Sequence, residues 1–302
     1  MIFQEWPNNR PSVLNVAEGN FCQDIISVPT DAEEREVNIC ECHYEAKVFF
    51  SLSGKDHEND RNSFIFKRVA LTDTIVFKLY KDGSEVATIV DDTYGTFYNF
   101  GDLIDPNLIG FVVDWNKVGV ALGIGYYQIK AEKTILGSSS TVSSVEFILM
   151  NYDPFDANGT VRFSWIQNGC ILSDPIQYQG LQWFNQMRIE GKFWRKTPQL
   201  EQEQFQDTNR NIQQIQDSIT NEYEIQTKPI PSQVANLLTY NMVLADSITV
   251  NDYNIDAFEV IRDLSIRPTA IEEPEYFNEN TKGVFKYKFT DLQQNIIKRR
   301  FK

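Results

Sequence analysis

Residues that carry chemistry are scarce in this chain. Two histidines, His43 and His57, occur in 302 residues, which leaves no material for a His-rich metal centre. There is no Gly-x-Ser-x-Gly elbow, no Walker phosphate loop and no His-Glu-x-x-His, so the common hydrolase and nucleotide-binding signatures are absent. Four cysteines, Cys22, Cys40, Cys42 and Cys170, are too few for a disulfide scaffold at this length and read as thiols kept reduced in a cytosol. No apolar run approaches the roughly 20 residues that span a bilayer. Met1–Pro7 lacks the basic and apolar stretches of a secretory leader. A soluble protein made in a cytosol, with no membrane partner, is the expectation. Basic residues are also in short supply: 28 Lys and Arg stand against 42 Asp and Glu, a net charge of −14. That excludes a generally basic, DNA-wrapping protein.

The chain does have apolar bulk: 42% hydrophobic residues, 21 Phe and 13 Tyr, with 15 Gly and 11 Pro. This supplies a real core and argues against disorder over most of the chain. At about 150 residues per domain, the length suggests roughly two domains.

Composition divides the chain. Residues 1–62 carry 12 acids and 5 bases, with some strand-like material around Val37–Leu52. Within them Gly54–Asn62 reads as an exposed loop, because it offers nothing to bury. Residues 63–150 read as a β-sandwich domain. Ile75, Phe77 and Leu79 alternate with Val76, Lys78 and Tyr80, and Asp82-Gly83 marks a hairpin turn before Glu85–Val90. Gly110–Val113, Tyr126–Ala131 and Val145–Leu149 add strands, and Asp114–Val120 a helical turn. Residues 151–265 form a second β-rich domain with long strands at Thr160–Gln167 and Gln182–Phe193, and Asn168-Gly169 signals a further hairpin. Inside it lies a polar arm, residues 199–226, whose sparse apolar residues fit neither a helix nor a loop decisively. Such an arm needs a partner; Phe205, Ile212, Ile215 and Ile219 are the candidate contacts with another subunit. Ser232 caps the clearest helix, Ser232–Ser247, with Val234, Leu237, Leu238 and Met242 on its buried side. Residues 266–302 reverse the charge balance, with five acids and eight bases, and close on Lys298, Arg299 and Arg300. That basic cluster reads equally as a solvated tail or as a dock for an acidic neighbour, and less readily as a phosphate contact.

The remaining signals are weak. Gly123-Ile124-Gly125 lacks the third glycine of a dinucleotide loop and reads as a tight turn. Cys40-Glu41-Cys42-His43 lacks the paired knuckles of a zinc site, so no metal or cofactor is expected. Asp153–Gly159 fails the calcium-loop pattern at both ends and reads as an Asx-rich turn. Acid pairs such as Asp91 with Asp92 are what 42 acids produce by chance, and no catalytic residues follow from them. Trp183, Trp194, Tyr126 and Tyr127 fit core packing or subunit contact better than a sugar platform.

One resemblance runs over about residues 63–302. It rests on Thr74–Gly83, Phe111–Trp115, Asp207–Arg210, Gln214–Asp217, Asn221–Tyr223, Pro229–Ser232 and Thr249–Asn254. In these phrases the chain resembles the ring proteins that build the tail and neck of crAss-like bacteriophages. The resemblance implies a virion structural protein, assembled in the bacterial host cytoplasm, with no enzyme activity. It implies a homo-oligomeric ring, twelvefold, stacked against neighbouring ring, portal or tail proteins around the DNA exit channel. Genomic DNA would pass without sequence-specific binding. The implied fold is mainly β, an Ig-like β-sandwich plus a second β-rich domain of tail-tube or adaptor type with one long helix. The alternative is a β-sandwich module that binds a glycan or receptor. An enzyme such as a polysaccharide depolymerase ranks third.

Overall fold

The computed structural model describes residues 17–19, 45–67, 74–99, 108–135, 138–168, 183–206, 212–231, 234–235, 238–255, 261–272, 275–277, 282–291 and 295–297. The fold is mainly β. The chain divides into two compact units, residues 1–153 with 167–188, and residues 154–166 with 189–302. The division follows sheet membership and not composition. Strands that composition groups with the acidic N-terminal segment belong to the first unit's sheets. Strands grouped with the basic C-terminal segment belong to the second unit's sheets.

The first unit is a two-layer sandwich. One layer has the order β1-β3-β7-β6, with β1 at Ala17–Gly19, β3 at Arg61–Lys67, β6 at Gly95–Asn99 and β7 at Leu108–Asp114. The other runs β2-β10-β8-β4-β5, with β9 also on β8. Its strands are β2 (Glu45–Phe50), β4 (Thr74–Lys81), β5 (Ser84–Ile89), β8 (Gly125–Ile135), β9 (Ser138–Ser143) and β10 (Glu146–Asn151). Strands β2 and β10 are parallel. Alternation decides which residues face inward: Ile75, Phe77 and Leu79 on β4 are buried, as are Tyr127, Ile129 and Ala131 on β8. They meet Phe64, Phe111 and Val113 of the other layer in one core. Phe77 and Phe111 lie 6.1 Å apart and Phe64 and Phe147 6.4 Å apart, ring to ring across the layers. Each fully buried Phe contributes about 1.5–3 kcal/mol.

The expected hairpin is present. Lys81 pairs with Ser84, and the two loop residues both have positive φ, Asp82 at 49° and Gly83 at 80°, which suits the right-handed twist of the flanking strands. The helical turn after β7 is a full helix, α1 (Trp115–Leu122), capped by Asp114, whose carboxylate accepts from Asn116 N–H at 3.0 Å. Gly123 ends α1 at φ 79° and Gly125 opens β8. The glycine pair therefore follows a helix instead of preceding one, the reverse of a phosphate-binding loop.

The second unit is a barrel. Its sheet runs β12-β11-β15-β16-β19-β13-β20, and β13 also pairs with β12, closing six strands into a ring. These are β11 (Thr160–Gln167), β12 (Trp183–Gln206), β13 (Ile212–Thr227), β15 (Ser247–Asp252), β16 (Leu264–Ile271) and β19 (Lys286–Asp291), with β20 at Asn295–Ile297. Strands β11 and β19 are not neighbours, yet the Phe163 and Phe289 rings meet across the interior, tilted, with centres 5.8 Å apart. Val250, Ile266, Ile225 and Tyr287 fill the rest. A small sheet of β14 (Ile230–Pro231), β17 (Glu275–Phe277) and β18 (Lys282–Val284) flanks it in sequence.

The helix expected over Ser232–Ser247 is shorter than its apolar spacing suggests. Val234 and Ala235 are helical, and Leu238–Met242 is a single π-turn closed by Val243 N–H on Leu238 O at 3.0 Å. The chain is in β15 from Ser247. Tertiary partners hold the π-turn: Trp165 Nε1–H donates to Asn241 at 2.7 Å, and Thr239 meets the Tyr287 hydroxyl at 3.2 Å. The Asp153–Gly159 segment is a turn, as expected, with Asn158 accepting from Ile255 N–H at 3.0 Å. The Asn168-Gly169 hairpin lies outside the described residues beyond Asn168.

Candidate functional site

The polar arm is neither helix nor loop. It is a β-hairpin, paired from Gly191 opposite Thr227 to Gln206 opposite Ile212. At its base the hairpin is part of the barrel: β13 pairs with β19 from Gln226 to Glu222. Farther out, β20 covers only Asp217, Ser218 and Ile219. On the other edge, Gly191 N–H still bonds Gly159 O at 2.9 Å. Beyond it, among the described residues, no strand pairs with the outer edge of β12 from Pro198 to Gln206. At 3.3 Å per residue that edge is about 30 Å long.

Both faces of this hairpin are polar in sequence. Gln202, Gln204 and Gln206 alternate with Glu201 and Glu203, and β13 returns with Gln213, Gln214, Gln216 and Asp217. Bulges interrupt the register between Trp194 and Thr197 and between Glu203 and Gln204. Bulges and an edge proline are features that stop indiscriminate strand pairing.

The structure places the expected contact residues as follows. Phe205 lies opposite Gln213 and Ile212 opposite Gln206, both at the far end of the hairpin. Ile215 falls at the second bulge, between the paired Gln214 and Gln216. Ile219 sits between Leu200 and Asn295 and is half-buried. Lys298, Arg299 and Arg300 lie outside the described residues, although β20 stops at Ile297, opposite Asp217.

The exposed loop read over Gly54–Asn62 holds for Gly54, Lys55 and Asp56 and fails from Glu58 on, Arg61 apart. Glu58, Asn59, Asp60 and Asn62 are buried. Asp60 is the centre of a network with residues far along the chain. Arg188 Nε and Nη2 each donate to its carboxylate at 2.8 Å, and Phe49 N–H donates to it at 2.8 Å. The Arg188 guanidinium lies 4.8 Å from the Phe49 ring centre. Asn62 accepts from Trp115 Nε1–H at 2.7 Å and donates to Gln186 O at 2.9 Å. Arg61 N–H donates to the Gln186 side chain at 2.6 Å, and Ser63 bonds Asn185. Nearby, burial pushes the Glu58 carboxyl up, but hydrogen bonds from Ser53, Ser51 and Lys55 outweigh it and hold the group down at about 2. These groups satisfy one another's hydrogen bonds and tie Asp60–Ser63 to Asn185–Arg188.

Other candidates resolve into structure. Asp91 accepts from Thr93 N–H and Asp92 from Phe97 N–H, at 2.9 and 2.7 Å, so this acid pair shapes a turn. Trp183 is buried, 5.5 Å from Tyr98 edge to face, and Tyr127 is buried in the sandwich core. Arg61, Thr96, Tyr98, Val112, Asp114 and Phe184 line a groove of about 300 Å³ in the first unit. Among the described residues no three His, Cys, Asp or Glu side chains cluster as a metal site. Cys22, Cys40, Cys42, His43 and Cys170 lie outside the described residues. Among the described residues no helix is long and apolar enough to cross a membrane.

No protein-family model matches the chain, and no curated protein matches it. Among solved structures, a chain of an extracellular contractile injection system, the PVC sheath-tube complex in its extended state, aligns with 46% of this chain and 88% of its own length. The identity is 10% and the TM-score 0.20, too low for the likeness to assign a fold or a role.

Proposed function

We propose that this chain is a structural subunit of a bacteriophage tail or neck, assembled as a closed homo-oligomeric ring around the DNA exit channel. The observation that carries the reading is the hairpin β12–β13, which runs past its own barrel with an edge about 30 Å long that, among the described residues, no strand covers. A segment so poor in apolar residues does not offset its own ordering entropy, about 1–2 kcal/mol per residue; contact with a neighbouring subunit supplies the difference. The net charge of −14 suits a conduit, because an acidic lumen repels phosphates and lets DNA slide. Twelvefold symmetry and contacts to portal, tail or neighbouring ring proteins follow from the crAss-like resemblance. The ring needs no cofactor and performs no catalysis.

Negative-stain microscopy of the purified chain, scored for rings and their symmetry, tests the reading. A variant with residues 201–220 replaced by a short Gly-Ser linker is expected to stay folded and monomeric. Rings of normal size from that variant would move the interface away from the arm, and a wild-type chain that forms no closed species would sink the ring itself. A glycan- or receptor-binding module is the second reading, supported by the first unit's groove, where Tyr98 and Phe184 flank the Arg61–Asp114 pair at 3.6 Å.

A further inference from the structure

We propose that the groove on the outward face of the first unit's four-stranded layer binds a neutral oligosaccharide, through hydroxyl hydrogen bonds to Arg61 and Asp114 and packing of sugar rings on Tyr98 and Phe184. The proposal rests on the second reading above, whose site and ligand class it names, and the ring reading does not depend on it.

Strand register builds the groove. Arg61 is directly opposite Asp114 across β3 and β7. Across β7 and β6, Val112 is opposite Thr96 and Gly110 is opposite Tyr98. Residues two apart share a face of a strand, so these three rungs lie on one side of the layer. The intervening Phe111 and Val113 lie on the other side, in the sandwich core. Gly110 brings no side chain to the Tyr98 rung, so the floor is lowest beside the aromatic ring. Phe184 makes a wall of the groove, and it packs against the cluster of Ile65, Val112 and Trp183. From the charged rung to the Tyr98 rung β7 advances four residues, about 13 Å, a length suited to linked sugars more than to one ring. The groove holds about 300 Å³, at the small end of sites for small ligands.

The polar end is fixed in place while its side chains keep bonding capacity. Arg61 N–H donates to the Gln186 side chain at 2.6 Å, and its neighbours Asp60 and Asn62 are anchored in the buried network. Asp114 N–H donates to Tyr94 O at 2.9 Å, and its Oδ1 caps α1. The two side chains meet only loosely. Arg61 Nε stands 3.6 Å from Asp114 Oδ2, and Nη2 stands 3.7 Å from Asp56 Oδ1. Both distances exceed the roughly 2.7–3.2 Å of a hydrogen bond. The Arg61 side chain is 44% exposed, so a ligand can reach its donors.

Charge and hydrogen-bond type select the ligand. The lining carries one cation and one anion, and Asp56 adds a second carboxylate beside Arg61. An anionic ligand meets two acids for one base, and a cationic ligand meets the guanidinium. A guanidinium only donates and a carboxylate only accepts, whereas a hydroxyl does both. Adjacent ring hydroxyls can therefore accept from Arg61 and donate to Asp114 together. Tyr98 is 39% exposed and is buttressed edge to face by Trp183 at 5.5 Å. With Phe184 it offers apolar surface to the C–H faces of the sugar. Aromatic walls with a few convergent polar groups are the make-up of a small-ligand site.

The test is saturation-transfer NMR on the full chain with cellobiose, maltose, lactose and chitobiose, and with oligomers of glucuronic acid and glucosamine as charged probes. The best binder is then titrated against wild type, Arg61→Met and Thr96→Phe, with a thermal melt on each. At least one neutral sugar is expected to bind. Arg61→Met keeps the backbone bond to Gln186 and should weaken binding about tenfold or more. Thr96→Phe fills the groove from an exposed position and should abolish binding with little change in melting, so it carries the test if Arg61→Met fails to fold. Wild-type affinity in both variants overturns the groove and leaves the second reading with a site elsewhere. Tighter binding of a charged probe than of every neutral sugar overturns the ligand class. No transfer to any sugar overturns the proposal and leaves the second reading only in its receptor-binding form.

Discussion

Removing the guanidinium of Arg188 tests the buried network at its centre. Arg188 and Asp60 are 1% and 2% exposed and make a two-pronged ion pair at 2.8 Å. In Arg188→Met, Asp60 keeps the Phe49 N–H bond but loses both charge-assisted bonds from the guanidinium. An uncompensated buried carboxylate costs about 3–5 kcal/mol, a large share of the roughly 5–15 kcal/mol that holds a domain folded. The double variant Asp60→Asn with Arg188→Met separates charge from packing. The amide oxygen then present at position 60 still accepts from Phe49 N–H, and the side chain carries no charge. About 2 kcal/mol or more should therefore return, in line with the near-neutral cost of removing both partners of a buried pair. Urea unfolding followed by tryptophan fluorescence is a suitable assay. Trp115, bonded to Asn62 two residues from Asp60, reports on the same unit. If Arg188→Met loses less than about 1 kcal/mol, or the double variant is no more stable than the single, the pair is solvated in solution and the reasoning fails.

Gly83→Val should destabilise the first unit by about 1–3 kcal/mol. A Cβ there meets no atom within 4 Å, so the cost is purely that of φ 80° for a β-branched residue; an unchanged unfolding midpoint would refute it. Glu58 should make the first unit sensitive to acid. Its folded value, about 2, lies below the ordinary 4.5, so its contribution is complete above pH 4.5 and is lost as pH falls from there towards 2. The stability difference between wild type and Glu58→Gln should therefore shrink across that window in chemical denaturation, and a constant difference would argue against the hydrogen bonds drawn to its carboxylate.

Local signals in the sequence were reliable where one residue type has one physical use. Asp82-Gly83 specified a hairpin because that turn needs positive φ at both positions, and the structure has both. Alternation along β4 specified a half-buried strand, because side chains two apart share a face. Asp114 sits where a helix start needs an acceptor. The arm was illegible because the helix and strand signals are both apolar periods, and a strand with two polar faces has no apolar period to read. Backbone pairing alone makes it a hairpin, from Gly191–Thr227 outward. Burial of Asp60 was illegible for a different reason. A polar stretch is exposed unless a partner desolvates it, and its partner Arg188 lies 128 residues away. Barrel closure has the same origin. Strands such as β15 and β19 show their own apolar face in the sequence, but only the tertiary structure pairs β12 with both β11 and β13 and turns a row of strands into a closed ring.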